Sequence, residues 1–76
     1  MKQKTMSNDN PQSKIAKNIK NIRQGKGISQ DRLSKLADLS LNTVVTVESG
    51  ANLNPTIETL TKIAKALSVR VDDLLN

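Results

Sequence analysis

The sequence predicts an all-α fold, a bundle of five short helices, and three observations support this prediction. Apolar residues recur at helical spacing in successive segments of residues 11–76. Residues that favour helix starts precede most of these segments. No segment of useful length alternates between polar and apolar residues as a strand would. The 76 residues suffice for one domain with a small core, which we assign to residues 11–76.

The first ten residues and the first helix differ in pattern. Residues 1–10 are polar and lack apolar periodicity, so we expect a disordered tail, with a basic arm on DNA as the alternative. Helix 1 is predicted to start at Asn10-Pro11 or at Ser13 and to run to about Gln24, because Pro is favoured at the first helical position and either neighbour can cap the helix. Its lysines point away from the apolar stripe and indicate a solvated face, with contact to phosphate as the alternative. The stripe consists of Ile15, Ile19 and Ile22.

Helix 2 is predicted to begin after Ser29. The hydroxyl of Ser29 can accept a hydrogen bond from a free backbone N–H, and Asp31 places negative charge at the positive end of the helix. The spacing of Leu33, Leu36 and Ala37 gives a narrow apolar stripe that needs a partner surface.

Helix 3 follows after a tight turn at Asp38. Ser40 can cap this helix, and Gly50 supplies the left-handed residue that ends it. Val44 and Val47 lie on one side and are predicted to be buried. A helix-turn-helix unit is therefore expected between residues 29 and 50.

The outer side of helix 3 carries a different set of residues. At about 100° per residue, hydrogen-bonding groups and methyl groups face away from the buried valines. These residues are Asn42, Val45, Thr46 and Ser49, with Leu41 near the edge. A short helix with a packed inner side and such an outer side is what reading of the DNA major groove requires.

Two charged residues fall on the apolar sides of their helices. Arg23 projects only about 40° from Ile19, and Glu48 lies within about 60° of Val44. Because a lone buried charge costs several kcal/mol, we predict that Arg23 and Glu48 form a buried ion pair. The alternative is that each side chain reaches solvent independently.

Two further helices complete the prediction. Helix 4 starts near residues 54–56 and is expected to cover the apolar ridges of helices 2 and 3. Its stripe consists of Ile57, Leu60, Ile63, Ala64 and Leu67. A short fifth helix carries Val71, Leu74 and Leu75, which exceed what a small core uses. We therefore expect these three residues to form the interface of a homodimer.

Composition excludes several classes of function. The chain has no Cys and no His, so disulfides, imidazole bases and the commonest zinc ligands are absent, and no enzyme, cofactor or metal site is expected. It has no aromatic residue on which single-stranded bases could stack. No apolar run approaches the length of a membrane span or signal peptide, so a cytoplasmic protein is expected. The net charge of +5 is compatible with nucleic acid.

Four motifs follow one another within roughly Ile15 to Leu75: ISQDRLSKLA, VESG, NPTIETL and KALSVRVDDLL. In this order they resemble the helix-turn-helix family of lambdoid phage repressor and Cro proteins, the XRE-like transcriptional regulators. The chain departs from the family pattern at three places. Asp38 and Ser68 stand where the family often has Gly, and residues 51–54 form a neutral loop that is often basic in the family.

This resemblance implies a lambda-repressor-like DNA-binding domain that represses or otherwise regulates transcription. The partner would be double-stranded DNA with a palindromic operator, bound by a homodimer. In similar proteins the Gln that begins helix 2 lies near the DNA backbone, and an Arg–Glu pair fixes the third helix. The candidate base contacts are Leu41, Asn42, Val45 and Thr46, and the candidate backbone contacts are Gln30, Ser40, Ser49 and Asn52.

One function of a different class stays open. Helix 3 contains no Lys or Arg, so the chain could instead be a helical protein–protein interaction module without DNA binding. It would then use a surface of Leu41, Val45 and Leu53 against its partner. No small-molecule effector site is evident from the sequence.

Overall fold

The computed structural model describes residues 11–52 and 54–76, so the predicted tail at residues 1–10 and the side chain of Leu53 lie outside the described residues. Five helices account for most of this part, and none of it is strand. The helices are α1 (Pro11–Gly25), α2 (Gln30–Ala37), α3 (Leu41–Ser49), α4 (Ile57–Leu67) and α5 (Val71–Leu75). The all-α, five-helix prediction is confirmed.

Hydroxyl groups begin three of the helices. Ser29, Ser40 and Thr56 each adopt an extended backbone conformation before α2, α3 and α4. The Oγ of each accepts a hydrogen bond from the backbone N–H three residues later, at 2.9, 3.0 and 3.1 Å. Each bond satisfies an N–H that has no partner within its helix. The predicted caps at Ser29 and Ser40 are confirmed.

Left-handed residues end α2, α3 and α4. Gly50 closes α3 at φ 83°, as predicted, whereas Asp38 and Ser68 hold φ values of 57° and 59° after α2 and α4. Side chains seldom adopt this conformation, although Asp tolerates it better than most. After α2, the N–H of Leu39 donates to the carbonyl of Ser34 at 2.9 Å, which turns the chain sharply toward α3.

One aliphatic core joins all five helices. α3 packs on α1 and α2, α4 packs mainly on α2, and α5 packs on α1 and α4. The largest fully buried side chains are Ile19, Leu33, Val44, Val47, Ile63, Leu67 and Leu74. Because α3 is covered by α1 and α2 on its valine side, its other side is left to solvent.

The apolar stripes of α2 and α4 each differ from the prediction at one residue. Leu36 is 46% exposed and Ile57 is 69% exposed, so neither belongs to the core as predicted. In α2 the buried residues are Leu33, Ser34 and Ala37, so the buried side is turned toward Ser34 and away from Leu36. Ser34 is buried, but its hydroxyl keeps a hydrogen-bond partner, because it donates to the carbonyl of Asp31 at 2.7 Å.

The predicted dimer interface needs a correction at α5. Leu74 is fully buried inside the chain itself, so it cannot contact a second copy as predicted. The Nδ2 of Asn18 donates to the carbonyl of Leu74 at 2.9 Å and ties α5 to α1. Val71 is half-buried and Leu75 is 43% exposed, so these two remain available at the surface.

Candidate nucleic-acid interface

α3 is short, but both of its ends and one of its sides are fixed. Ser40 caps its start, and at its end the N–H of Gly50 donates to the carbonyl of Val47. Val44 and Val47 are buried against the neighbouring helices. These contacts hold α3 in one position on the surface of the bundle.

The predicted base-contacting residues lie together on the outer side of α3. Asn42 is exposed and Thr46 is half-buried. Leu41 and Val45 are 44% and 38% exposed, although both are apolar. Ser49 is exposed at the end of the same side. The outer side therefore combines an amide, two hydroxyls and aliphatic groups within about three helical turns.

The polar groups of this side are not equally free. The hydroxyl of Thr46 donates to the carbonyl of Thr43 at 3.1 Å, and that of Ser49 donates to the carbonyl of Thr46 at 3.2 Å. In the free protein, both hydroxyls thus donate their single proton inside the helix and direct lone pairs outward. The side chain of Asn42 makes no hydrogen bond within the described part of the chain, so its amide keeps both its donors and its acceptor.

The predicted pair of Arg23 and Glu48 is present behind α3. The Nε of Arg23 donates to Oε2 of Glu48 at 2.6 Å and its Nη2 donates to Oε1 at 3.0 Å. The two side chains are only 10% and 3% exposed. A two-pronged contact of this kind fixes the relative orientation of both side chains. It joins the end of α1 to the end of α3.

Two further hydrogen bonds extend the pair, and the sequence analysis missed both. The Nη1 of Arg23 donates to the carbonyl of Ile28 at 2.7 Å, in the loop between α1 and α2. The Nε2 of Gln30 donates to Oε1 of Glu48 at 3.1 Å. Gln30, predicted to lie near the DNA backbone, is therefore half-buried and held by α3. One network connects α1, the loop, the first residue of α2 and α3.

The other predicted backbone contacts do not form a single cluster. Ser40 is exposed at the start of α3, where its hydroxyl also lies 2.8 Å from that of Thr43. Asn52 is half-buried beyond the other end of α3 and accepts from the N–H of Asn54 at 3.1 Å. These residues bracket α3 lengthwise, and Gln30 flanks it from α2.

Lys20 lies beside α3, although the sequence favoured a solvated face for the lysines of α1, with contact to phosphate as the alternative. It lines a cleft of about 160 Å³ where α1, α2 and α3 meet. The other lining residues are Gln30, Val45, Glu48 and Ser49. A signal for this position was present, since Lys20 stands one turn before Arg23, the residue that docks on α3.

α1, which packs on α3, is a basic helix. α1 carries Lys14, Lys17, Lys20 and Arg23 and no acidic residue. The three lysines are exposed and make no ion pair within the described residues. α3 has neither acidic residues in its first turn nor basic residues in its last. The aliphatic and amide surface of α3 is thus flanked by a basic helix.

Residues 11–52 and 54–76 contain neither a cluster of metal-ligating side chains nor a membrane-spanning helix. Acidic side chains do not gather there in groups of three that could hold a metal ion. None of the helices described has both the length and the apolar character needed to cross a membrane.

Comparison with known proteins identifies the family. A family model described as helix-turn-helix matches residues 19–74, from the middle of α1 to α5. No curated protein matches the chain significantly. The match covers most of the chain and includes the α2–turn–α3 unit whose caps and packing are described above. The chain belongs to the helix-turn-helix family of the type found in lambdoid phage repressor and Cro proteins, and it is a DNA-binding regulator of that general kind.

Proposed function

We propose that the protein binds duplex DNA sequence-specifically by inserting α3 into the major groove, and that it represses transcription by occupying its operator. The observation that carries this proposal is the outer side of α3. It presents the free amide of Asn42 between exposed aliphatic groups, on a helix anchored by buried valines and an ion pair. A major groove about 12 Å wide admits such a helix.

The base contacts divide by chemistry. Asn42 can bind adenine in a bidentate manner, because its amide matches the N7 acceptor and the N6 donor of that base. Leu41 and Val45 can pack on thymine methyl groups. Thr46, whose hydroxyl proton is used inside the helix, can accept from an exocyclic amino group.

The backbone contacts surround the groove-reading helix. Gln30 holds Glu48 with one N–H of its amide, so the second N–H is free to donate to a phosphate. We add Lys20 to this group, because its cleft is shared with Gln30 and Ser49. Ser40, Ser49 and Asn52 complete the predicted set. With so few basic side chains involved, we expect a shallow dependence of affinity on salt.

A homodimer would read a palindrome, with its two α3 helices about one DNA turn, roughly 34–36 Å, apart. Since Leu74 is buried, the interface proposed for α5 rests on Leu75 and the half-buried Val71. Leu75→Glu should shift the sedimentation of the protein toward a monomer. Leu36→Glu is the matched control, because Leu36 is similarly exposed at 46% but lies on α2. A wild-type monomer at every concentration, even on DNA, would contradict the dimer.

The second candidate function is a protein–protein interaction module. Its support is the exposure of Leu41 and Val45, at 44% and 38%, on a helix without Lys or Arg. The third residue predicted for that surface, Leu53, lies outside the described residues. A module of this kind would bind its partner through the same side of α3 and would enrich no duplex.

Selection of bound sequences from a random duplex pool tests the proposal. We expect one enriched sequence family with two-fold symmetry. Gln30→Ala should weaken binding to enriched and random duplexes alike, because a phosphate contact carries no sequence information. A pool without enrichment after repeated rounds would overturn DNA reading and favour the protein-partner function.

A further inference from the structure

We infer that the outer side of α3 reads A·T base pairs and that its specificity depends on the 5-methyl groups of thymine. This inference rests on the proposed function and specifies its substrate. The side chains of α3 fall into three kinds: those that can donate a hydrogen bond, those that can only accept one, and those that can do neither.

Guanine finds few partners on this surface. Its major-groove edge presents two acceptors, N7 and O6, and its commonest partner is Arg or Lys. α3 has neither residue. The hydroxyls of Thr46 and Ser49 already donate to carbonyls of their own helix. Lys20 is the one basic side chain of the cleft, and it belongs to α1, at the flank of α3. On the outer side of α3 itself, only the amide of Asn42 has donors that are unused in the free protein. A second guanine in a half-site would therefore depend on the flanking residues Lys20 and Gln30 for its donors.

Adenine and thymine fit the same surface well. The amide of Asn42 offers a donor and an acceptor together, which is the combination that adenine presents. The hydroxyl oxygen of Thr46 can accept from the N6 amino group of a second adenine. Thymine alone among the four bases carries a methyl group in the major groove. That methyl is the largest apolar group that a base edge presents to Leu41 and Val45 in the groove.

Burial of these two side chains is therefore most favourable at thymine. Leu41 and Val45 are 44% and 38% exposed in the free protein, so each has apolar surface still to bury. Burying one methyl-sized group contributes about 0.8 kcal/mol, which is about fourfold in affinity. Two methyl contacts in a half-site would together contribute about fifteenfold.

Uracil substitution tests this inference directly. A duplex enriched from the random pool is synthesised with uracil in place of each thymine in turn, which removes the methyl group and leaves every hydrogen-bonding group unchanged. We expect about fourfold weaker binding at one or two positions of each half-site, and little change elsewhere.

Protein variants assign the effect to its side chain. Val45→Ala should bind the thymine duplex more weakly and lose its sensitivity to uracil at one position. Leu36→Ala is the matched control, because Leu36 is as exposed as Leu41 but lies on α2. It should keep both the affinity and the uracil sensitivity of the wild type.

The outcomes separate the two claims. An enriched duplex that requires guanines at its central positions, or that binds equally well with uracil throughout, would overturn the inference while leaving DNA reading intact. A pool without any enriched duplex would overturn the proposed function and the inference together.

Discussion

Removal of either member of the Arg23–Glu48 pair should destabilise the fold severely. Arg23→Met would leave the Glu48 carboxylate, whose side chain is 3% exposed, without two charged hydrogen bonds of 2.6 and 3.0 Å. It would also leave the Ile28 carbonyl without its donor. Stranding one buried charge costs about 3–5 kcal/mol. For a chain of 76 residues the total free energy of unfolding is about 4–11 kcal/mol, at roughly 0.05–0.15 kcal/mol per residue.

The double variant Arg23→Met/Glu48→Met completes the test. It removes both charges, so its loss should be smaller than the sum of the two single losses by about 2 kcal/mol or more. Urea unfolding followed by circular dichroism gives all three free energies of unfolding. Two small losses that add within error would refute the reasoning that the pair is buried and coupled.

An exposed pair in the same chain provides the control. Asp31 and Lys35 lie 2.7 Å apart, almost the same separation as Arg23 and Glu48, but their side chains are 60% and 68% exposed. Pairs one helical turn apart at the surface contribute only about 0.3–0.5 kcal/mol. Lys35→Met should therefore change stability by less than about 1 kcal/mol.

Three further predictions concern the core, the helix ends and the DNA backbone. Leu74→Ala should lower the free energy of unfolding, measured in urea, by about 2–5 kcal/mol, because removal of a fully buried leucine side chain leaves a cavity. A loss below about 1 kcal/mol would indicate that α5 detaches readily. Asp38→Gly and Ser68→Gly should each raise the free energy of unfolding by up to about 1 kcal/mol, because Gly adopts a positive φ without a steric cost; unchanged or lower stability would show that these side chains are not strained. Lys20→Gln should reduce the slope of log affinity against log salt by about 0.9 for each phosphate that the lysine neutralises in the wild type. Lys65→Gln, which alters an exposed lysine on α4, should leave the slope unchanged, and equal slopes in both variants would exclude Lys20 from the interface.

Local signals in the sequence were sufficient for the helices and for the ion pair. Caps such as Ser29 and Ser40 are local, because a hydroxyl bonds an N–H only three residues away. Helical periodicity placed Val44 and Val47 inside and turned Asn42 outward. The ion pair was predictable because two opposite charges on apolar stripes avoid the cost of an unpaired buried charge only when they contact each other.

The features that the sequence missed depend on how the helices pack. Periodicity could not decide whether Leu74 or Leu75 would be buried, since that depends on where α5 meets α1 and α4. It placed Leu36 inside, although the buried side of α2 consists of Leu33, Ser34 and Ala37. The approach of Lys20 to α3 likewise follows from the relative position of two helices. Such distances are set by the tertiary fold. Within a single segment, the one signal was the position of Lys20 one turn before Arg23.

The most direct test of the central claim compares the base preferences of wild type and Asn42→Ala in the same random duplex pool. Asn42 is exposed and makes no hydrogen bond within residues 11–52 and 54–76, so the variant should fold normally. We predict that it loses preference at one adenine of each half-site, at a cost of about 1–3 kcal/mol, and keeps its affinity for random duplexes. An Asn42→Ala variant with the full wild-type sequence preference would contradict the assignment of α3 as the helix that reads the groove.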